Sequence, residues 1–134
     1  MRFEFIELPG ARHRLTRPVV PVQVEDLEEA PQLCLVDTGS TTNRFGRWLA
    51  EATGIDLSQA PADELAVGGI TTTAWHARVD LTVAGLRYDA SVTFCEPWPF
   101  AFNLLGQEGF LRFFRVTICA NEGWLEVEPE SPAG

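Results

Sequence analysis

The sequence predicts an all-β domain with one or two short helices. Apolar and polar residues alternate over several short segments, and glycine-containing turns separate those segments. The clearest case is a hairpin whose alternating residues run up to Ala84 and Gly85 and continue beyond them. With 134 residues, 46% of them apolar, the chain is long enough to form one domain with its own core.

The predicted strands follow one another along most of the chain. They are residues 3–8, 19–24, 33–36, 65–67, 70–74, 79–83, 86–94, 115–120 and 123–127. Short helices are predicted at residues 47–53, where Gly54 is placed to end the helix, and at residues 107–114. We expect one domain over residues 1–127 and a disordered tail over residues 128–134.

The charge of the chain excludes several functions. Nineteen acidic and ten basic residues give a net charge of −9, so the broad basic face of a nucleic-acid-binding protein is absent. One small basic cluster is formed by Arg12, His13, Arg14 and Arg17. All ten basic residues are arginine, which excludes Schiff-base chemistry and a Walker-type phosphate loop. His13 and His76 share no ligand spacing with the cysteines, so neither a metal nor another cofactor is expected.

Hydropathy predicts the location. No apolar run approaches the ~20 residues of a membrane span, and the first fifteen residues lack the apolar core of a signal peptide. We therefore expect a cytoplasmic protein with no membrane partner.

The candidate catalytic segment is residues 35–40, Leu-Val-Asp-Thr-Gly-Ser. One interpretation is a strand that ends in an Asx-type turn, with Gly39 supplying a positive φ. The other is a catalytic carboxylate at Asp37. Two carboxylates that share one proton hydrolyse a peptide bond without a nucleophilic side chain, because one activates a water and the other protonates the carbonyl oxygen. The motif alone leaves both interpretations open.

The order of motifs along the chain resembles the single-domain retropepsin-like aspartic proteases, including their bacterial members. The resemblance covers residues 19–127. It comprises the apolar-apolar-Asp-Thr-Gly-Ser segment, a hairpin tipped by Gly68 and Gly69, and Asn-Leu-Leu-Gly at residues 103–106 followed by Gly-Phe-Leu at residues 109–111. It implies a closed β-barrel-like acid-protease fold. It also implies a homodimer, because one chain supplies a single Asp-Thr-Gly.

The resemblance assigns the catalytic loop. Asp37 of each subunit would meet at the dimer axis, Thr38 would lock the two loops together, and Gly39 would permit close approach of the substrate backbone. Ser40 would donate a hydrogen bond to the carboxylate, and Thr41 would lie beside it against the substrate.

The resemblance also assigns the substrate contacts. Gly68 and Gly69 would form the tip of a flap that closes over an extended peptide. Phe100, Phe102 and Leu104 would wall apolar side-chain pockets. An ordinary surface hairpin and ordinary core packing are the alternatives for these two groups.

The sequence departs from the retroviral members at one ion pair. Gln107 takes the position of their arginine, and Thr41 and Thr42 take those of its acidic partners. The resemblance implies that residues 124–127 pair across the dimer, because the family interleaves its chain ends there. We also expect the N-terminal extension to add an edge strand near the terminal sheet.

These observations predict an aspartic endopeptidase that cleaves extended peptides with apolar residues flanking the cut. One alternative is a dimeric peptide-binding module of the same fold with negligible turnover. The other is a monomeric structural β-domain in which Asp37 caps a turn.

Overall fold

The computed structural model describes residues 1–9 and 15–130. The strands of these two stretches are β1 (Arg2–Glu4), β2 (Ile6–Glu7), β3 (Thr16–Arg17), β4 (Val19–Val24), β5 (Gln32–Val36), β6 (Asn43–Gly46), β7 (Ala62–Val67), β8 (Ile70–Val83), β9 (Leu86–Glu96), β10 (Asn103–Leu105), β11 (Phe114–Cys119) and β12 (Trp124–Pro129). Helix α1 spans Trp48–Thr53 and ends at Gly54, as predicted, and a π-helical turn spans Gln107–Leu111. None of the helices in these stretches is long and apolar enough to cross a membrane. Arg12, His13 and Arg14 lie outside the described residues.

Six strands close into a barrel. Their order is β4-β5-β10-β6-β9-β8, and β8 returns to β4 through the pair Gln23 and Thr82. Strand β7 extends the sheet from β8. Inward-facing side chains such as Val22, Phe45 and Phe94 fill the barrel and are fully buried. The predicted all-β class with a closed barrel and short helices is confirmed.

Both predicted hairpins are present. β8 and β9 pair outward from a tight turn at Ala84 and Gly85, and β7 and β8 pair outward from Gly68 and Gly69. The prediction of separate strands at residues 70–74 and 79–83 is wrong, because β8 runs unbroken for 14 residues. Its middle continues the alternation, since Trp75 and Ala77 pack against the core.

A second, three-stranded sheet, ordered β1-β12-β11, is not hydrogen-bonded to the barrel strands, but its Leu125 and Val127 pack into the same core. Its first strand confirms the edge strand expected from the N-terminal extension. Strand β12 pairs on both sides within its own chain, with Leu125 opposite Phe3 on one side and Ile118 on the other. The prediction that residues 124–127 pair across a dimer is therefore wrong, because β12 has no free edge.

The end of the domain lies slightly beyond its predicted position. Strand β12 continues to Pro129, and the Glu130 amide donates a hydrogen bond to the Phe113 carbonyl at 2.9 Å. Residues 131–134, the rest of the predicted tail, lie outside the described part of the chain.

Candidate active site

Asp37 follows β5 at the point where this strand meets β10. The two strands are parallel, with Val36 opposite Leu105, and the Asp37 amide donates to the Leu105 carbonyl at 2.9 Å. Gly106 comes next on the second strand, and a Cβ there would overlap the Thr42 carbonyl oxygen. The loop after β5 and the turn after β10 therefore form one close-packed unit.

Hydrogen bonds from the π-helical turn hold the backbone of this loop. The amides of Gln107 and Glu108 donate to the carbonyls of Ser40 and Thr41 at 2.9 and 3.0 Å. The Gln107 side-chain amide donates to the Thr38 carbonyl at 2.7 Å. A neutral hydrogen bond from Gln107 thus stands where the retroviral members have their ion pair.

The buried Asn43 side chain links the loop region to the π-helical turn. Its Nδ2 donates to the carbonyls of Gly109 and Ser91 at 2.8 and 3.2 Å, and its Oδ1 accepts from the Gly106 amide at 3.0 Å. A Cβ on Gly109 would overlap the Asn43 amide. Since unpaired buried polar groups cost about 1–3 kcal/mol each, this one side chain strongly constrains the turn.

The Asp37 carboxylate is oriented by its own loop. Its Oδ1 accepts the Gly39 amide at 2.9 Å, while its Oδ2 makes no hydrogen bond to any described residue. Asp37 is half-buried, and Thr38 and Gly39 are exposed. The Asx-type turn is present, but the prediction that Gly39 supplies a positive φ is wrong. Glycine is favoured there for another reason, since a Cβ would lie 3.2 Å from Asp37 Oδ1.

Ser40 serves the loop rather than the carboxylate. Its hydroxyl donates to the Thr42 carbonyl at 2.7 Å, so the predicted hydrogen bond to Asp37 is wrong. The Ser40 amide closes the turn onto the Asp37 carbonyl at 3.1 Å, and the side chain lies on the buried side of that turn, only 3% exposed.

A row of polar side chains leads from the loop to β7. Thr42 Oγ1 and Thr93 Oγ1 are 3.2 Å apart, Thr93 Oγ1 and His76 Nδ1 are 3.1 Å apart, and His76 Nε2 lies 2.9 Å from Asp63 Oδ1. None of the side chains in this row was predicted as a site residue from the sequence, because they come together only through strand pairing.

The predicted flap tip contacts an aromatic loop. Gly68 and Gly69 have φ values of 56° and 82°, as a tight turn between two strands requires. A Cβ on Gly68 would lie 2.9 Å from Phe100 Cζ, whereas Gly69 has nothing within 4 Å. Phe100 stacks on Phe102 with ring centroids 5.0 Å apart, and neither belongs to the barrel core.

Leu104 lies on the sheet face opposite the core. Its neighbour Leu105 points into the barrel, and Leu104 is paired with Leu35 on one side and Arg44 on the other. It is 7% exposed in the single chain.

The predicted site residues form two groups. Residues 37–41 and Leu104 surround the ends of β5 and β10, and Gly68 contacts the loop that carries Phe100 and Phe102.

Two of the three cysteines, Cys34 and Cys95, are poor nucleophiles. Burial raises the pKa of Cys95 to about 11 and raises that of Cys34 further, so both thiols stay protonated at neutral pH. Within residues 1–9 and 15–130, no three His, Cys, Asp or Glu side chains are grouped closely enough to hold a metal.

Neither a protein-family model nor a curated protein sequence matches this chain. Solved structures do match. A retropepsin-like aspartic protease from Rickettsia conorii superposes with a TM-score of 0.66, 15% identity, and coverage of 96% of this chain and 91% of the other. This chain has the retropepsin-like fold. The retroviral protease-like domain of Ddi1 from Leishmania major agrees, with a TM-score of 0.61, 17% identity, and coverage of 84% and 89%.

The predicted resemblance is confirmed at the level of the fold. In this retropepsin-like chain, the Asp-Thr-Gly loop follows β5 and the Leu-Leu-Gly segment follows from β10, and the two parallel strands place them side by side. At this low identity, the likeness to the two solved structures establishes the fold alone.

The flap contact predicts different effects for two neighbouring substitutions. Gly68→Ala and Gly69→Ala both force a side chain into a positive φ, which costs about 1 kcal/mol, but only the first adds an overlap with Phe100. We expect Gly68→Ala to raise amide hydrogen exchange over residues 65–72 several-fold more than Gly69→Ala does. Equal exchange in the two variants would show that the tip does not rest on Phe100 in solution.

Proposed function

We propose that this chain is an aspartic endopeptidase that works as a homodimer. The observation that carries the proposal is the state of Asp37: one carboxylate oxygen is fixed by the Gly39 amide, and the other has no partner among the described residues. The retropepsin-like fold supports the proposal, because the loop after β5 in this fold carries the Asp-Thr-Gly sequence of the chain. One chain supplies one such carboxylate, so acid–base catalysis by a carboxyl pair needs two copies.

The proposed reaction needs one shared proton. Two adjacent carboxyl groups do not both ionise readily, so the Asp37 pair holds one proton between them. The ionised carboxylate takes a proton from water as the water oxygen attacks the carbonyl carbon, and the protonated one gives its proton to the carbonyl oxygen. The tetrahedral diol then collapses. The C–N bond breaks as the nitrogen takes a proton from one carboxyl, and a diol hydroxyl returns a proton to the other.

The remaining loop residues have supporting roles in this proposal. The Thr38 hydroxyl makes no hydrogen bond to any described residue, while the Thr38 carbonyl is held by Gln107. We assign the hydroxyl to the contact between the two loops across the axis. Exposed Gly39 and Thr41 lie along the substrate backbone.

The hairpin and the aromatic loop supply the substrate contacts of the proposed enzyme. The Gly68–Gly69 tip covers an extended peptide, and Phe100, Phe102 and Leu104 wall the pockets for apolar side chains beside the cleaved bond. The contact of Gly68 with Phe100 supports this assignment, because it brings the hairpin tip and the pocket wall together.

The outer edge of β11 is the surface that fits a second copy. With β12 paired on both sides, β1 and β11 are the edges of the terminal sheet, and β1 has only three residues. Ile118 on β11 lies opposite the fully buried Leu125 yet is 43% exposed. Strand β11 also follows the π-helical turn bonded to the Asp37 loop. Antiparallel pairing of β11 with its copy would join the two terminal sheets across a two-fold axis and reduce the exposure of Ile118.

Asp37→Asn tests the chemistry. We expect hydrolysis of a mixed peptide library to fall at least a thousandfold, because the amide cannot take part in proton exchange, while the protein still sediments at twice 14.8 kDa. Wild-type protein that binds peptides without cleaving any would favour the peptide-binding alternative. Cleavage near the wild-type level in the variant would contradict the proposal.

Ile118→Arg tests the interface. Because each copy would bring an arginine to the shared β11 edge, we expect the dimer dissociation constant to rise at least tenfold in sedimentation experiments. Ile6→Arg is the matched control, since Ile6 is 36% exposed but lies on β2, in a different sheet. An unchanged dimer in Ile118→Arg would place the interface elsewhere.

A further inference from the structure

Arg44 is a cation on the side of the barrel that faces away from the core. Its neighbours Asn43 and Phe45 on β6 are fully buried, so the alternation of the strand directs Arg44 to the opposite face. In the sheet, Arg44 is paired with Leu104 on one side and with Thr93 on the other. It therefore shares a face with a predicted substrate-contacting residue.

The same face lies between the Asp37 loop and the flap hairpin. Thr93 is hydrogen-bonded to Thr42 of the loop and to His76, which in turn reaches Asp63 on β7. Arg44 and Leu35 flank β10 on either side, and two strand spacings are about 10 Å. Asp37 comes two residues after Leu35, which adds about 7 Å along the strand, so an extended peptide reaches Arg44 from a cleaved bond at Asp37 in about three to four residues.

The guanidinium of Arg44 has no carboxylate of its own among the described residues. Its Nε is buried and has no hydrogen-bond partner, and no acidic side chain in that part of the chain lies within ion-pair distance. Asp63, the acidic residue of this face, is already engaged by His76 at 2.9 Å. A buried N–H of a charged group costs free energy when it has no hydrogen-bond partner. A carboxylate supplies that partner, because its two oxygens match the geometry of the guanidinium group.

We propose that Arg44 is a specificity-determining residue that binds a glutamate or aspartate side chain of the substrate near the cleaved bond. This inference rests on the proposed endopeptidase function and adds an acidic position to its apolar pockets. The net charge of −9 does not attract acidic peptides from a distance. The preference therefore arises in the bound complex, where the partly buried contact resists screening by salt.

The binding experiment uses the Asp37→Asn dimer, so that peptides bind without being cut. Matched peptides with an apolar pair at the centre carry Glu or Gln at one position, tried in turn at about three to four residues on either side. At about 0.15 M salt, we expect the Glu peptide to bind at least tenfold more tightly than the Gln peptide at one of these positions, measured by fluorescence anisotropy.

Substitutions assign the preference to Arg44. We expect Arg44→Gln to bring the Glu-to-Gln binding ratio close to one, and Arg44→Glu to favour a Lys peptide. Arg78→Gln removes the same charge from an exposed pair with Asp89 and should keep the ratio. A ratio near one in the starting protein, no binding of any peptide, or a ratio that Arg44→Gln leaves unchanged would overturn the inference.

The cleavage experiment separates this inference from the function on which it rests. If the wild-type protein binds the Glu peptide through Arg44 but cuts nothing, the endopeptidase proposal fails and the acidic preference stands. If it cuts peptides without any preference for Glu over Gln, the endopeptidase proposal stands and the role of Arg44 fails.

Discussion

The parallel pairing of β5 with β10 is the constraint on which the site depends. Parallel neighbours need a long connection between them, and here that connection is most of the barrel, residues 37–102. Closing the ring therefore brings two distant chain segments, the Asp-Thr-Gly loop and the Leu-Leu-Gly turn, to the same end of adjacent strands. The hydrogen bond from the Asp37 amide to the Leu105 carbonyl is the first contact beyond that pairing.

Close packing between the two segments leaves the Asp-Thr-Gly loop little freedom. Gly106 and Gly109 have no room for a Cβ, and the Asn43 amide satisfies backbone groups of both residues. The Asp37 side chain is consequently oriented within the single chain, and this preorganisation is what the proposed acid–base catalysis requires. A turn that merely ended a strand would need far fewer buried partners.

Local patterns in the sequence predicted the elements that local chemistry determines. The hairpins at Gly68–Gly69 and Ala84–Gly85 were predictable because alternation and turn residues lie next to each other. Strand β6 was not, since Asn-Arg-Phe-Gly at residues 43–46 contains a single large apolar side chain. Its strand conformation comes from pairing with β10 on one side and β9 on the other.

The wrong predictions at the site also concern contacts that the fold determines and that neighbouring residues in the sequence do not. The Asp37 carboxylate and the Thr42 carbonyl are both close enough in the sequence to accept a hydrogen bond from the Ser40 hydroxyl. Only the fold of the loop selects the Thr42 carbonyl. Strand β12 was predicted, but its position between β1 and β11 depends on which edges the fold leaves open. Asn43 and Arg44 were not predictable as site residues, because their partners lie 48 or more positions away in the sequence.

In the proposed enzyme, two chains build one site around two copies of Asp37. Calorimetric titration with an extended peptide analogue that has a hydroxyl-bearing carbon in place of the cleaved carbonyl tests this arrangement directly. We expect one analogue bound per two chains, because the analogue lies on the two-fold axis. One analogue bound to every chain would contradict it.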